Sequence, residues 1–153
     1  MPRSTVPVVL VALAMLLTAC EPAGNAAPSS SRPVHCTVVV DGPERVEDTN
    51  RFVGRVRYRC GKPGASTLTL KLRIEQRGGN DRWRTITAKS YTLKGSQTVA
   101  AELKYQSKEL ALSCREGVFR TVVDWSRTSR GDKEGDNLVS GSMSNPCKSF
   151  LEG

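Results

Sequence analysis

The sequence predicts an all-β protein: an antiparallel sandwich of about seven short strands held by two disulfides, with a small β-barrel as the alternative closure. Three observations lead there. Apolar residues between positions 34 and 143 recur with a period of two rather than 3.6. Clusters of Gly, Asn, Asp and Ser punctuate them at short intervals. Four well-separated cysteines, Cys36, Cys60, Cys114 and Cys147, lie among the strands.

Taken in order, residues 34–40 are rich in β-branched side chains and form a first strand. In the second, 52–60, Phe52, Gly54, Val56, Tyr58 and Cys60 share one face, and Val53, Arg55, Arg57 and Arg59 share the other. The third, 67–76, buries Leu68, Leu70, Leu72 and Ile74 while showing Thr69, Lys71, Arg73 and Glu75. Gly78, Gly79, Asn80 and Asp81 supply a turn tolerant of positive φ. A less regular fourth strand runs over 83–93, followed by a turn near Gly95, and a fifth over 97–105 with Val99, Ala101, Leu103 and Tyr105 inward. Residues 107–113 are the one place where a short helical turn is expected. The sixth strand, 118–126, points Phe119, Thr121, Val123 and Trp125 one way; the last, 138–143, has weaker propensity and pairs with the sixth.

The four cysteines allow three pairings. Joining Cys36 to Cys60 and Cys114 to Cys147 places the midpoints at position 48 and near Arg130, inside the polar stretches 41–50 and 127–137. Each bond would then close the open end of a long hairpin. A zinc site would need close ligand pairs, and these cysteines are isolated.

A fifth cysteine sets the compartment. Arg3, an uncharged run over 6–17 and the tetrapeptide Leu17, Thr18, Ala19, Cys20 have the layout of an export signal ending in a lipobox. Twelve residues as a helix reach only about 18 Å, too short for a hydrocarbon core of about 30 Å, so no permanent span is expected. In bacterial lipoproteins, which this segment resembles, that cysteine carries diacylglycerol and the signal is cut just before it. The division expected is therefore a lipoprotein signal peptide over 1–19, a flexible tether over 20–33 and a β-sandwich domain over 34–153. The tether, with Pro22, Gly24, Pro28, Ser29, Ser30, Ser31 and Pro33, has nothing to pack a core and a coil reach of about 20 Å.

Gly117 and Phe119 stand where the immunoglobulin fold often has G-x-Y opening its F strand, and Thr121 stands at the place of that fold's second core cysteine. Phe119 lacks the tyrosine hydroxyl, so the resemblance implies an immunoglobulin-like sandwich in general form. More widely, the lipobox, C-x-x-G-x-F-R at 114–120 and Gly78-Gly79 ahead of Trp83 resemble small exported lipoproteins of high-GC Gram-positive bacteria. Most of those proteins have no assigned activity. The resemblance implies a location and a fold.

Chemical motifs are sparse. His35 is the single histidine, so any His-based triad would depend wholly on it. Gly61-Lys62-Pro63-Gly64 lacks the order of a phosphate loop and reads as a turn. Asp132, Glu134, Asp136 and Asn137 crowd a glycine-containing segment that could interest calcium, but Lys133 inside it favours a hydrated hairpin tip. The reading calls for no catalytic residues, no metal and no cofactor.

The formal net charge of +8 falls to +7 once Arg3 is removed, since no acidic residue precedes Cys20. An exported cationic protein meets lipid headgroups and acidic wall polymers rather than nucleic acid. The stripe Arg55, Arg57, Arg59 is the candidate anion-binding row, because side chains two apart on a strand share a face and guanidinium groups pair bidentately with phosphate or carboxylate. The competing reading is a solvated sheet face. The functional expectation is a monomeric, non-enzymatic binding module, anchored by diacylglycerol on the outer side of the cytoplasmic membrane and facing an acidic envelope polymer or protein. The alternatives are a hydrolase or hydrolase inhibitor using loop residues, or a purely structural envelope protein.

Overall fold

The computed structural model describes residues 32–101 and 104–148. The strands are β1 (Cys36–Val46), β2 (Arg51–Cys60), β3 (Thr67–Arg77), β4 (Trp83–Leu93), β5 (Gln106–Ser113), β6 (Val118–Ser129), β7 (Asp132–Val139) and β8 (Met143–Ser144), with one 3-10 turn at Gly95–Thr98. Pairing between these strands is antiparallel throughout. One sheet has the order β1-β2-β5 and the other β4-β3-β6-β7, with β8 also on β6. The sheets stay open, so the chain is a sandwich and not a barrel. Their order follows the A-B-E and G-F-C strands of an immunoglobulin-like domain, with β4 beside the C position.

The period-two patterns place the core as the sequence predicts. Leu68, Leu70, Leu72 and Ile74 of β3 are completely buried, and Phe52, Val56 and Tyr58 of β2 meet them from the other sheet. Burial of a side chain of this size contributes about 1.5 to 3 kcal/mol, and the alternation forbids a one-residue slip in register. Phe52 and Phe119 pack with ring centroids 4.9 Å apart. The disulfides join Cys36 to Cys60 and Cys114 to Cys147. Cys36 and Cys60 face each other directly in the β1-β2 register, at the open end of that hairpin. Cys114 precedes β6 and Cys147 follows β8, so the second bond closes the opposite end of the molecule.

Three expectations need correction. The first strand begins at Cys36 and continues to Val46 through a register shift between Asp41 and Glu44. Asp41 and, beyond the shift, Glu44, Arg45 and Val46 are strand because Arg55, Val53, Phe52 and Arg51 of β2 supply partners for them.

The fifth strand expected over 97–105 does not form among its described residues, 97–101 and 104–105; Leu103 lies outside them. Gly95 donates its amide to Ala65 O at 2.8 Å, and the buried Thr98 hydroxyl accepts from the Ala65 amide at 3.0 Å while donating to Gly95 O. Gly64, at φ 104°, permits this approach, since a Cβ there would stand 2.1 Å from Gly95 O. Residues 95–98 are thereby tied beneath the β2-β3 connection as a turn. The strand forms instead at Gln106–Ser113, where a helical turn was expected. Leu110 and Leu112 pack on the core while Ser107, Glu109, Ala111 and Ser113 are exposed, which is the alternation of an edge strand.

Lastly, the 127–137 stretch is mostly strand. Its turn is confined to Arg130 and Gly131, both at positive φ, and β7 starts at Asp132. A last strand does pair with the sixth, but as two pieces, Asp132–Val139 and Met143–Ser144, rather than one strand over 138–143.

Candidate functional site: the arginine row and its surroundings

β2 is the middle strand of its sheet, and the outward positions of β2 carry Arg55, Arg57 and Arg59 as the alternation requires. The neighbouring strands answer them with acids. Arg55 Nε donates to Glu109 Oε1 at 2.7 Å on β5 and its Nη1 reaches Glu44 Oε2 at 3.4 Å on β1. Arg57 makes a bidentate pair with Asp41, at 2.8 and 2.7 Å. These contacts raise both guanidinium groups above their ordinary pKa, Arg55 chiefly through the Glu109 hydrogen bond and Arg57 chiefly through Asp41. Arg55 and Arg57 are thus members of an ion-pair ladder and do not form a free cationic row.

Arg59 is different. It has no carboxylate partner among the described residues, and its guanidinium lies 4.9 Å above the Tyr105 ring, with that of Arg57 at 5.5 Å. It borders a hollow of about 320 Å³ with His35, Thr37, Cys60, Gly61 and Ala100. His35 is exposed there, and Gly61 to Gly64 is a hydrogen-bonded turn, Gly64 N donating to Gly61 O at 2.9 Å. A second hollow, about 220 Å³, adjoins the Cys114–Cys147 disulfide beside Arg115, Glu116, Asn145 and Lys148. Cys20 lies outside the described residues.

Two further charge networks were not recognised in the sequence. On the outer face of the larger sheet, Glu75 is only 7% exposed and sits between Arg73 and Arg120, which donate to its two oxygens at 2.8 and 2.9 Å. Arg73 also pairs with Asp124, which accepts a hydrogen bond from Asn137, and Arg120 lies 4.1 Å above the Trp83 ring. Burial raises the Glu75 pKa, but the two arginine hydrogen bonds outweigh it and leave the carboxyl below its ordinary value. Asp124 is lowered as well, first by Asn137 and then by Arg73 against the opposing effect of burial. The available signal was the outward placement of Lys71, Arg73 and Glu75; their β6 partners follow only from the β3-β6 register.

The second network explains the acidic hairpin. Arg127, 6% exposed, donates to Glu134 at 2.7 and 3.0 Å and approaches Asp132 at 3.0 Å. Two of the four acidic or amide groups weighed as calcium ligands are therefore bound by a buried arginine. Among the described residues no three His, Cys, Asp or Glu side chains converge to hold a metal.

No family model matches the sequence, and no curated protein matches it. Among solved structures, the chain is similar to the sporulation control protein Spo0M from Bacillus subtilis at 12% identity and a TM-score of 0.28. The likeness covers 71% of this chain and 49% of that one, so the chain spans about half the length of its structural neighbour. At that score it bears on neither the activity nor the partners of this protein.

Proposed function

We propose that this chain is an extracytoplasmic lipoprotein, anchored to the outer side of the cytoplasmic membrane through Cys20, whose sandwich is a non-enzymatic binding module for an anionic envelope component. One observation carries the reading. Of the five cysteines in the sequence, four are joined in two disulfides within the sandwich, leaving Cys20 alone, next to small residues at the end of an apolar run. Disulfides persist in oxidising compartments, which supports export; a cysteine so placed is where a bacterial lipoprotein takes its diacylglycerol.

The charged groups favour binding over catalysis. Asp41, Glu75, Glu109 and Glu134 have their oxygens occupied by arginines, and Arg73 and Arg120 hold the Glu75 carboxyl below its ordinary pKa. Of the arginine row, Arg59 is the residue left to meet an external anion.

Intact mass of the exported protein, measured with and without reductant, tests this reading. The expected species begins at Cys20, carries the mass of a diacylglyceryl group, and gains four hydrogens on reduction, two for each disulfide. An unprocessed chain with five free thiols would overturn it.

A further inference from the structure

The strand order gathers several chain segments at one end of the sandwich: the start of β1, the β2-β3 turn, the 3-10 segment after β4, the approach to β5 and the β6-β7 turn. These segments bring Arg59, Lys62, Lys94, Lys104, Arg130 and Lys133 to that end. All but Arg59 are exposed, and none has a carboxylate within 4 Å among the described residues. The acids described at the same end, Asp132 and Glu134, are both held by Arg127. At the opposite end Glu47, Asp48, Asp81 and Glu116 are interspersed among the arginines, Arg77 pairing with Asp81 and Lys148 with Glu116.

The cationic end is also where the N-terminal segment joins the domain. Val34 donates its amide to the buried Ser129 hydroxyl at 3.0 Å, which fixes the point of entry beside the β6-β7 turn. A coil of fourteen residues, the number from Cys20 to Pro33, would span about 20 Å. An eleven-residue strand such as β1 is roughly 36 Å long, so the opposite end lies that much farther from the entry point.

We propose that this end of the sandwich is a membrane-docking surface that seats on anionic phospholipid headgroups, with a headgroup phosphate entering the hollow between His35, Thr37 and Arg59. The proposal rests on the lipoprotein reading, because lipid on Cys20 is what would hold this end at the membrane. The Arg59 guanidinium is held over the Tyr105 ring, and with no carboxylate partner among the described residues its N–H groups can meet a phosphate. The lysines and Arg130 around the rim act through the surface potential, each basic side chain brought to an anionic leaflet strengthening binding about fivefold. A domain docked in this way presents the opposite end of its sandwich outward.

Docking is tested with the mature chain, residues 20–153, bearing Cys20→Ser so that no lipid contributes. It is sedimented with vesicles of phosphatidylglycerol and phosphatidylcholine, and with vesicles of phosphatidylcholine alone. The expected result is binding to the anionic vesicles only. Arg59→Gln with Lys62→Gln, Lys94→Gln and Arg130→Gln should weaken it by more than about tenfold. Arg45→Gln with Arg51→Gln, Arg82→Gln and Arg84→Gln, the same loss of charge at the other end, should change it by less than about threefold. If the four-residue variant at the cationic end does not fold, Lys62→Gln with Lys94→Gln and Arg130→Gln, set against Arg45→Gln with Arg51→Gln and Arg82→Gln, gives an equal-charge comparison without touching Arg59. Equal losses in the two variants would reduce the effect to net charge and overturn the proposal. So would equal binding to both vesicles, binding to neither, or retention on polyglutamate without vesicle binding. Failure of the lipoprotein reading is seen separately, in the mass of Cys20 on the exported chain.

Discussion

A Cβ added at Gly54 would stand 2.7 Å from the Thr121 Oγ1, 2.9 Å from its Cγ2 and 3.1 Å from the side chain of Ile74. Gly54 lies on β2 and Thr121 on β6, so the two sheets touch here, at the level where the immunoglobulin comparison would place a disulfide half. The contact leaves the Thr121 hydroxyl buried without a hydrogen-bond partner. Gly54→Ala is therefore expected to destabilise the domain by about 1 to 3 kcal/mol in urea unfolding, because backbone and packed side chains must move to admit one methyl group. Adding Thr121→Ala in the same chain should recover part of that loss by removing the atoms the methyl meets. Additive losses would place the strain elsewhere. Glycine at a strand position could be read in the sequence, but its reason could not, since it lies in a residue of the other sheet 67 positions away.

Among the elements, β3 and β6 carry the charge network with the clearest pH signature. The folded Glu75 carboxyl is held below its unfolded pKa, so its contribution to stability is complete above the ordinary carboxylate range near 4.5 and is lost as pH falls through the lower folded value. Urea midpoints should consequently fall as pH drops below the ordinary carboxylate range, and Glu75→Gln should flatten that dependence. The variant should also cost about 1 to 3 kcal/mol at pH 7, because Arg73 and Arg120 lose the charge they share. An unchanged pH profile in Glu75→Gln would assign the acid sensitivity to other carboxylates, Asp124 first among them.

The inner strands were legible, and so was the edge strand β4 between the turns at Gly78–Asp81 and Gly95; the edges β5 and β7 were not. β2, β3 and β6 are inner strands, and the apolar half of each alternation is buried between the sheets, so their registers could be read from Leu68, Leu70, Leu72, Ile74 or from Phe119, Thr121, Val123. β5 and β7 are edges. With water on one side and only partial cover on the other, Gln106–Ser113 and Asp132–Val139 carry charges and small residues that look like loop or helix in isolation. Residues 97–105 failed for the opposite reason. Val99 and Ala101 alternate well, yet the Ala65, Gly95 and Thr98 hydrogen bonds, made to a distant segment, hold the chain in a turn. The arginine row was legible as a row; its neutralisation by Glu44, Asp41 and Glu109 depends on register across two strand pairs and was not.

For the whole molecule, the disulfides act at opposite ends and on different parts of the chain. Cys36 and Cys60 are 24 positions apart and Cys114 and Cys147 are 33 apart, spans for which restriction of the unfolded chain contributes about 3 to 4 kcal/mol each. The first bond stays within one sheet, whereas the second ties the end of β5 in the smaller sheet to the segment after β8 in the larger one; between these ends the inner faces are held by the packing of Phe52, Tyr58, Leu70 and their neighbours. Replacing Cys36 and Cys60 together by alanine, or Cys114 and Cys147 together, should each lower unfolding free energy by about that amount while leaving the far-ultraviolet circular dichroism of a β-sheet protein intact. Loss of the sheet signal at 25 °C in either double variant would mean that the core is too thin to fold without that bond.

The first of these bonds also decides how the domain bears load. A pull on the polypeptide ahead of Val34 reaches Cys36 and passes through sulfur directly to Cys60, bypassing residues 37–59. β1 cannot be peeled from β2 like the leading strand of an ordinary sandwich, and tension arrives instead at the β2-β3 turn, where Ala65, Gly95 and Thr98 are tied together. Under reducing conditions the same tug would unzip β1 first.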